Sequence, residues 1–291
     1  MKGFCGGKRA FSNGVKDFKT VVVTGKTTVA DLLNNSKVAV KKVFVSDNHE
    51  ESHIMSKIFE KAKKRGIQVE KVSKKELVEI SNTGKHGGVV ANVEVKAFGD
   101  FKEFLEEGET LGNKSKSETK ETKEIKEDKG RKEGKGKGFS LLLCERIKNE
   151  ANLGMILRSV AAGKNLDGVL LTSHLSCQVV HPIVIKSSSG AIFRTKVFLM
   201  EGRNMKEELS FFKTKLNLKI VVADSNAKQN LFHFRPERNT NYLYVVGGES
   251  TGVSSSVKSL ADHSLFIPMQ NQVESLNVAV TAAFISYLPF D

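Results

Sequence analysis

Apolar and polar positions in the first hundred residues follow two periods. KKVFVS (41–46), IQVEKVS (67–73) and GGVVANVEV (87–95) are short runs rich in β-branched residues and predict strands. SHIMSKIFEKAKKRG (52–66) and KKELVEIS (74–81) return to apolar residues every three or four positions and predict helices, the first stopped at Gly66. This alternation predicts a small α/β domain.

The second half reads differently. SLLLCERI (140–147), DGVLLT (167–172), KIVVAD (219–224), YLYVVG (242–247) and SLFIPM (264–269) are strand-like, most of them apolar without alternation. Such runs suit a parallel sheet covered on both faces, with ANLGMILRSVAAG (151–163) and SLNVAVTAAFISYL (275–288) as helices packed on it. Between the halves, 113–138 is almost wholly Lys, Glu, Gly, Ser and Thr, with Ile125 its only large apolar residue, so it cannot bury a core of its own. The expected organisation is a tail (1–18), a small α/β domain (19–99), a charged linker (100–138) and a parallel-sheet domain (139–291).

Charge adds a partner. The chain has a formal net charge of +13, and the segment 113–138, with ten basic and six acidic residues, accounts for +4 of it. A basic surface of that size suggests a polyanion, nucleic acid first. The cysteines Cys5, Cys144 and Cys177 form no CxxC pair and imply no disulfide framework, which fits a reducing compartment. No apolar run approaches the roughly 20 residues of a membrane span, and the opening lacks a signal-peptide core. The expectation is a soluble intracellular protein without a membrane partner.

Two motifs are set aside. His49-Glu50-Glu51-Ser52-His53 matches HExxH, but Asp47 and Asn48 before it read as caps of a surface helix, and no third zinc ligand is indicated, so no metal is expected. Gly25-Lys26-Thr27 resembles the end of a phosphate loop, yet the required first glycine is Thr20, and a strand-to-helix turn accounts for Gly25.

The chemistry sits in three junctions, each following an apolar strand: NEANLGMILRS (149–159), VVGGESTGVS (245–254) and IPMQNQVESLNVAV (267–280). In parallel α/β sheets ligands gather at the strands' carboxyl ends, where backbone amides point at them, so these three are candidates to share one pocket. Read singly, Gly247, Gly248 and Gly252 turn the chain, Ser275 caps a helix and Arg158 is a surface cation.

Together the junctions resemble the signature motifs of the SpoU (TrmH) family of RNA ribose methyltransferases, in the SPOUT superfamily, over about 150 residues. Asn152, Gly154 and Arg158 match the first motif. Gly247, Gly248, Glu249 and Gly252 match the second, with Ser250 where glycine is usual. Ile267, Pro268, Met269, Ser275, Leu276, Asn277 and Val278 match the third. Asn149-Glu150 replaces the usual Asp-Pro, and Asn271 a usual glycine.

The resemblance implies a deep trefoil knot, a homodimer whose active site combines both subunits, and S-adenosylmethionine as cofactor. It implies cofactor contacts from Val246, Gly247, Gly248, Gly252, Ile267, Pro268, Met269 and Leu276. It places Arg158 at the acceptor hydroxyl, with Asn152, Glu249, Ser275 and Asn277 shaping the site. The first half, with Lys85-His86-Gly87-Gly88, resembles the ribosomal-protein-like substrate-binding domain that precedes many members. That implies RNA docking, for which Lys63, Arg65, Lys85 and His86 are the candidates. The two-domain plan directs expectation to a guanosine of large-subunit ribosomal RNA, mitochondrial before cytoplasmic. tRNA is the alternative substrate, a non-catalytic RNA-binding relative the alternative function, and a zinc hydrolase a distant third.

Overall fold

A computed structural model of the chain describes residues 18–36, 38–96, 99–100, 138–172, 176, 179 and 181–289. The basic tail, the charged segment 101–137, Cys5 and Cys177 lie outside the described residues.

The first unit runs β1 (Phe18–Thr24), α1 (Lys26–Asn34), β2 (Ala39–Ser46), α2 (His53–Lys64), β3 (Gln68–Val72), α3 (Lys74–Ser81) and β4 (Val89–Lys96). Its strands form a sheet in the order β1-β4-β2-β3, with β4 antiparallel to both neighbours and β3 parallel to β2. Local chemistry sets the boundaries. Gly25, at φ 102°, turns β1 into α1 as expected. Ser73 and Glu76 form a reciprocal capping box on α3, and Gly66, at φ 64°, follows α2.

The HExxH segment departs from expectation. The cap of α2 is Ser52, whose hydroxyl accepts from the Met55 amide at 3.4 Å, and neither Asp47 nor Asn48 caps it. His49 therefore lies before the helix, its Nδ1 at 2.9 Å from the Ser46 carbonyl, and does not share a helical face with His53. Among the described residues no cluster of His, Cys, Asp and Glu is placed to hold a metal, and no helix is long and apolar enough to cross a membrane.

The second unit contains β6 (Ser140–Glu145), α4 (Glu150–Ala162), β7 (Gly168–Thr172), α5 (Pro182–Ser187), β8 (Val197–Met200), α6 (Met205–Lys215) and β9 (Leu218–Ala223). It ends with β10 (Gln229–Asn230), β11 (Asn241–Gly247), α7 (Ser255–Lys258), β12 (His263–Phe266) and α8 (Val278–Ser286). Together with β5 (Gly99–Asp100) its strands form a sheet ordered β10-β12-β9-β11-β6-β7-β8-β5. Every neighbouring pair is parallel. Gly99, expected in the first domain, thus belongs to the edge of the second sheet.

The continuous apolar runs are explained by burial on both faces. Every residue of β6 is buried. On one face Leu142, Cys144, Val169, Leu171, Tyr244 and Val246 pack under α4, α5 and α8. On the other, Leu141, Leu143, Leu170, Ile220 and Val245 pack under α6 and α7. The apolar cluster of the first face continues into the first unit, where it takes in Val23, Leu32 and Ile58.

The last helix begins at Val278 rather than Ser275, because Asn277, not Ser275, caps it: its Oδ1 accepts from the Ala279 amide at 2.8 Å. Gly154, in the middle of α4, permits the close approach of α5. A Cβ there would collide with the Ser187 hydroxyl and lie 2.7 Å from the Val184 carbonyl oxygen. Gly154→Ala is expected to overpack this contact, costing about 2 kcal/mol and lowering the thermal unfolding midpoint by about 5 °C. An unchanged midpoint would contradict the close-approach role.

Candidate active site

The junctions after β6, β11 and β12 converge, as does a fourth after β9. In sheet order β12, β9, β11 and β6 are adjacent, so their carboxyl ends open onto one region. A cavity of about 560 Å³ lies there, lined by Ala223–Asn226, Val246–Glu249, Thr251–Val253, Lys258, Leu265, Ile267, Met269 and Glu274–Val278, with Thr281. That volume falls in the range of small-molecule sites.

Side-chain polarity runs in one direction across the site. The Asn277 Oδ1 is occupied by the Ala279 N–H, so its Nδ2 is the donor, and it donates to Asn152 Oδ1 at 3.0 Å. That fixes Asn152 Nδ2 as the donor to Glu249 Oε1, at 2.6 Å. The amide chain thus joins all three motifs and ends on a side-chain oxygen of Glu249, which accepts. Asn152 itself is buried, its backbone N–H held by the Asn149 side chain at 3.1 Å.

Glycine provides the cavity's backbone walls. A Cβ on Gly248 would lie 2.6 Å from the Arg146 carbonyl oxygen, and one on Gly247 would overlap the backbone of Gly252. On the β9 side, Lys258 Nζ pairs with Asp224 Oδ2 at 2.7 Å. Burial raises the Asp224 carboxyl pKa, but the Lys258 ammonium and the Asn226 amide outweigh it and hold the group below its ordinary value.

Of the predicted cofactor residues, Val246, Gly247, Gly248, Gly252, Ile267, Met269 and Leu276 line the cavity, and Pro268 does not. Of the predicted catalytic residues, Glu249, Ser275 and Asn277 line it, and Asn152 supports it through the amide chain. Arg158 is absent from the wall. It is exposed on α4, six residues and about 9 Å along the helix axis from Asn152. Sequence reasoning missed the Asp224-Ser225-Asn226 turn, although a polar turn at the carboxyl end of KIVVAD meets the criterion that found the other three.

The docking candidates divide. Lys63 and Lys85 are exposed. Arg65 is committed elsewhere: its guanidinium donates to the carbonyls of Leu32, Leu33, Asn35 and Val38, at 3.2, 3.2, 3.2 and 2.6 Å, closing the carboxyl end of α1. His86 is 3% exposed, and its Nδ1 accepts from the Gly88 amide, so it shapes the turn before β4 instead of offering an external contact.

Comparison with known proteins agrees with this arrangement. Residues 140–287 match the SpoU rRNA Methylase family, and residues 22–98 match the RNA 2′-O ribose methyltransferase substrate-binding family. A putative TrmH family tRNA/rRNA methyltransferase of Staphylococcus aureus is 26% identical over 269 residues, 92% of this chain and 95% of that protein. An uncharacterized tRNA/rRNA methyltransferase of Synechocystis sp. is 32% identical over 146 residues, 50% of this chain and 51% of that relative. Among solved structures, the SpoU methyltransferase AviRb from Streptomyces viridochromogenes superposes with a TM-score of 0.64 at 20% identity, covering 92% of this chain and 87% of that one. An RNA 2′-O ribose methyltransferase superposes with a TM-score of 0.66 at 19% identity, covering 92% and 86%. At those identities the structural likeness is one of fold.

Arg65→Ala is expected to lose about 2 kcal/mol in urea unfolding, because it removes charge-assisted bonds from the α1 terminus. Lys63→Ala should change stability by less than about 0.5 kcal/mol. Equal stabilities for the two variants would contradict the structural role of Arg65.

Proposed function

The chain belongs to the SpoU rRNA methylase family, and from that premise we propose that it transfers a methyl group from S-adenosylmethionine to a ribose 2′-hydroxyl of structured RNA. The observation that carries this reading is the Asn277–Asn152–Glu249 chain, which ties the three family motifs together beside one cavity.

The residues present suit the cofactor. Gly247 and Gly248 let the Gly252 backbone and the Arg146 carbonyl approach closely, so the cavity wall at the end of β11 is backbone rather than side chain. Asp224, Glu249 and Glu274 against Lys258 give the wall a net negative charge, complementary to a sulfonium and an ammonium. Val246 to Gly248, Gly252, Ile267, Met269 and Leu276 would hold it. When bound, S-adenosylmethionine supplies an electrophilic methyl group. Among known structures, an AviRb crystal structure is described as a complex with AdoMet.

The chain's own residues position the acceptor. Holding the 2′-oxygen in line supplies much of the rate, and the 2′-hydroxyl proton must leave or its charge be stabilised. A guanidinium gives up its proton too reluctantly to make a good base, so Arg158 serves as a cation that grips the adjacent phosphate and stabilises the developing alkoxide. Since Arg158 lies off its own cavity, the reading assigns the partner subunit's Arg158 to each site. The homodimer has a candidate surface for this. Met155 shares the Arg158 side of α4, Val280 and Phe284 lie one helical turn apart on α8, and Tyr287 follows its end; all four are exposed. Trefoil threading of the final segment belongs to the same reading.

RNA is the substrate class, and the exposed Lys63 and Lys85 of the first unit are the remaining docking candidates. The finer target is a guanosine of large-subunit ribosomal RNA, supported by the two-domain plan, with tRNA as the alternative. Arg158→Ala should reduce methylation by at least about 100-fold while S-adenosylmethionine binding stays near that of the unaltered protein. Retained turnover would contradict its role. Nucleotide-resolution mapping of 2′-O-methylation in cells lacking the protein should show loss at a ribosomal guanosine; an unchanged ribosomal map with a lost tRNA position would move the target to tRNA.

A further inference from the structure

The loop that carries Glu249 leaves β11 at Gly247 and returns at Ser254, and one residue meets it at both ends. Glu145, the last residue of β6, pairs with Gly247 in the parallel ladder. Its side chain is only 2% exposed, and its Oε2 accepts from the Ser254 amide at 2.9 Å.

Arg146 makes the second closure. Its Nη2 donates to the Gly252 carbonyl at 3.2 Å, and its own carbonyl oxygen occupies the space that a Cβ on Gly248 would need. Gly248 and Gly252 are themselves bridged, with the Gly252 amide donating to the Gly248 carbonyl at 2.9 Å. Arg146 Nε is buried and faces Glu145 Oε1 at 3.6 Å, without a hydrogen-bond partner.

Arg146 adopts φ 59°, a left-handed conformation that favours glycine over arginine. Strain of this kind persists where surrounding structure enforces it and gathers at functional sites. Beyond the Gly248–Gly252 bridge and the Asn152–Glu249 bond, the loop offers little else to define its shape. Val246 and Val253 are buried at its ends, while Glu249 to Gly252 are exposed and supply no apolar anchor.

We propose that Glu145 and Arg146 form a clasp that sets the shape of the 247–254 loop, and so act as positioning residues for Glu249 and for the backbone wall of the cavity. This rests on reading that cavity as the S-adenosylmethionine site. A loop shaped before the cofactor arrives spares binding the cost of ordering it, so loss of the clasp should weaken binding more than it weakens the fold.

Arg146→Gly is the informative variant, because glycine accepts the left-handed conformation while the guanidinium is lost. Calorimetric titration of the full chain with S-adenosylmethionine should show Kd raised about tenfold, with the thermal midpoint within about 2 °C of the unaltered protein. Amide exchange across 247–254 in the ligand-free variant should be faster, a readout that needs no cofactor. Arg146→Lys, which keeps a donor for the Gly252 carbonyl, should recover affinity to within about threefold. Arg146→Gly with unaltered affinity and exchange would overturn the clasp, as would equal losses in both variants accompanied by a lowered midpoint. An unaltered protein that fails to bind S-adenosylmethionine would overturn the reading of the cavity instead, and the exchange measurement would still decide the clasp.

Discussion

The side-chain amide of Asn152 is the interaction on which the site's arrangement depends. It is buried, so both ends of the amide need partners, and each partner comes from a different loop: Asn277 from the segment after β12, Glu249 from the segment after β11. A buried amide with one end unmet costs about 1–3 kcal/mol, and that cost holds the three loops in register with each other. The parallel sheet makes this possible by placing the carboxyl ends of β12, β9, β11 and β6 side by side. The polarity of the chain, fixed at one end by the α8 cap, then requires a hydrogen-bond acceptor at the other, which Glu249 provides.

Departures from the family's usual residues are absorbed without loss of these contacts. Asn149 stands where aspartate is usual and still caps α4 by accepting from the Asn152 amide, as an asparagine does as well as an aspartate. Asn271 stands where glycine is usual and adopts φ 55°, a conformation asparagine tolerates better than most side chains. Ser250 needs no such tolerance, since it is not among the positive-φ residues. Nothing in the structure explains why Gln272 also takes a left-handed conformation.

Where burial is complete the fold was legible in the sequence, because apolar runs such as SLLLCE report burial on both faces directly. Periodicity also located α2, α3 and α4. Less legible were short elements whose packing depends on distant partners. α5 and β8 offer only six and four residues of pattern, and α6, with Phe211 exposed, was not read. The start of α8 was misplaced by three residues because Ser275 and Asn277 are both good caps, and only geometry chose between them.

Site residues that act through the backbone or through a motif were legible; those whose role depends on where a long side chain goes were not. Arg65 lies in a basic helix but turns to the carbonyls of α1, and His86 is folded inward. Arg158 was found by its place in the first motif, yet the motif does not show that it lies off the cavity wall of its own chain. The central claim, that Asn152 couples the three loops into one cofactor site, is tested most directly by calorimetric titration of S-adenosylmethionine into Asn152→Asp. An aspartate there cannot donate to Glu249 and sets two carboxylates face to face. The account predicts affinity at least about 100-fold weaker than that of the unaltered protein; affinity within about twofold would contradict it.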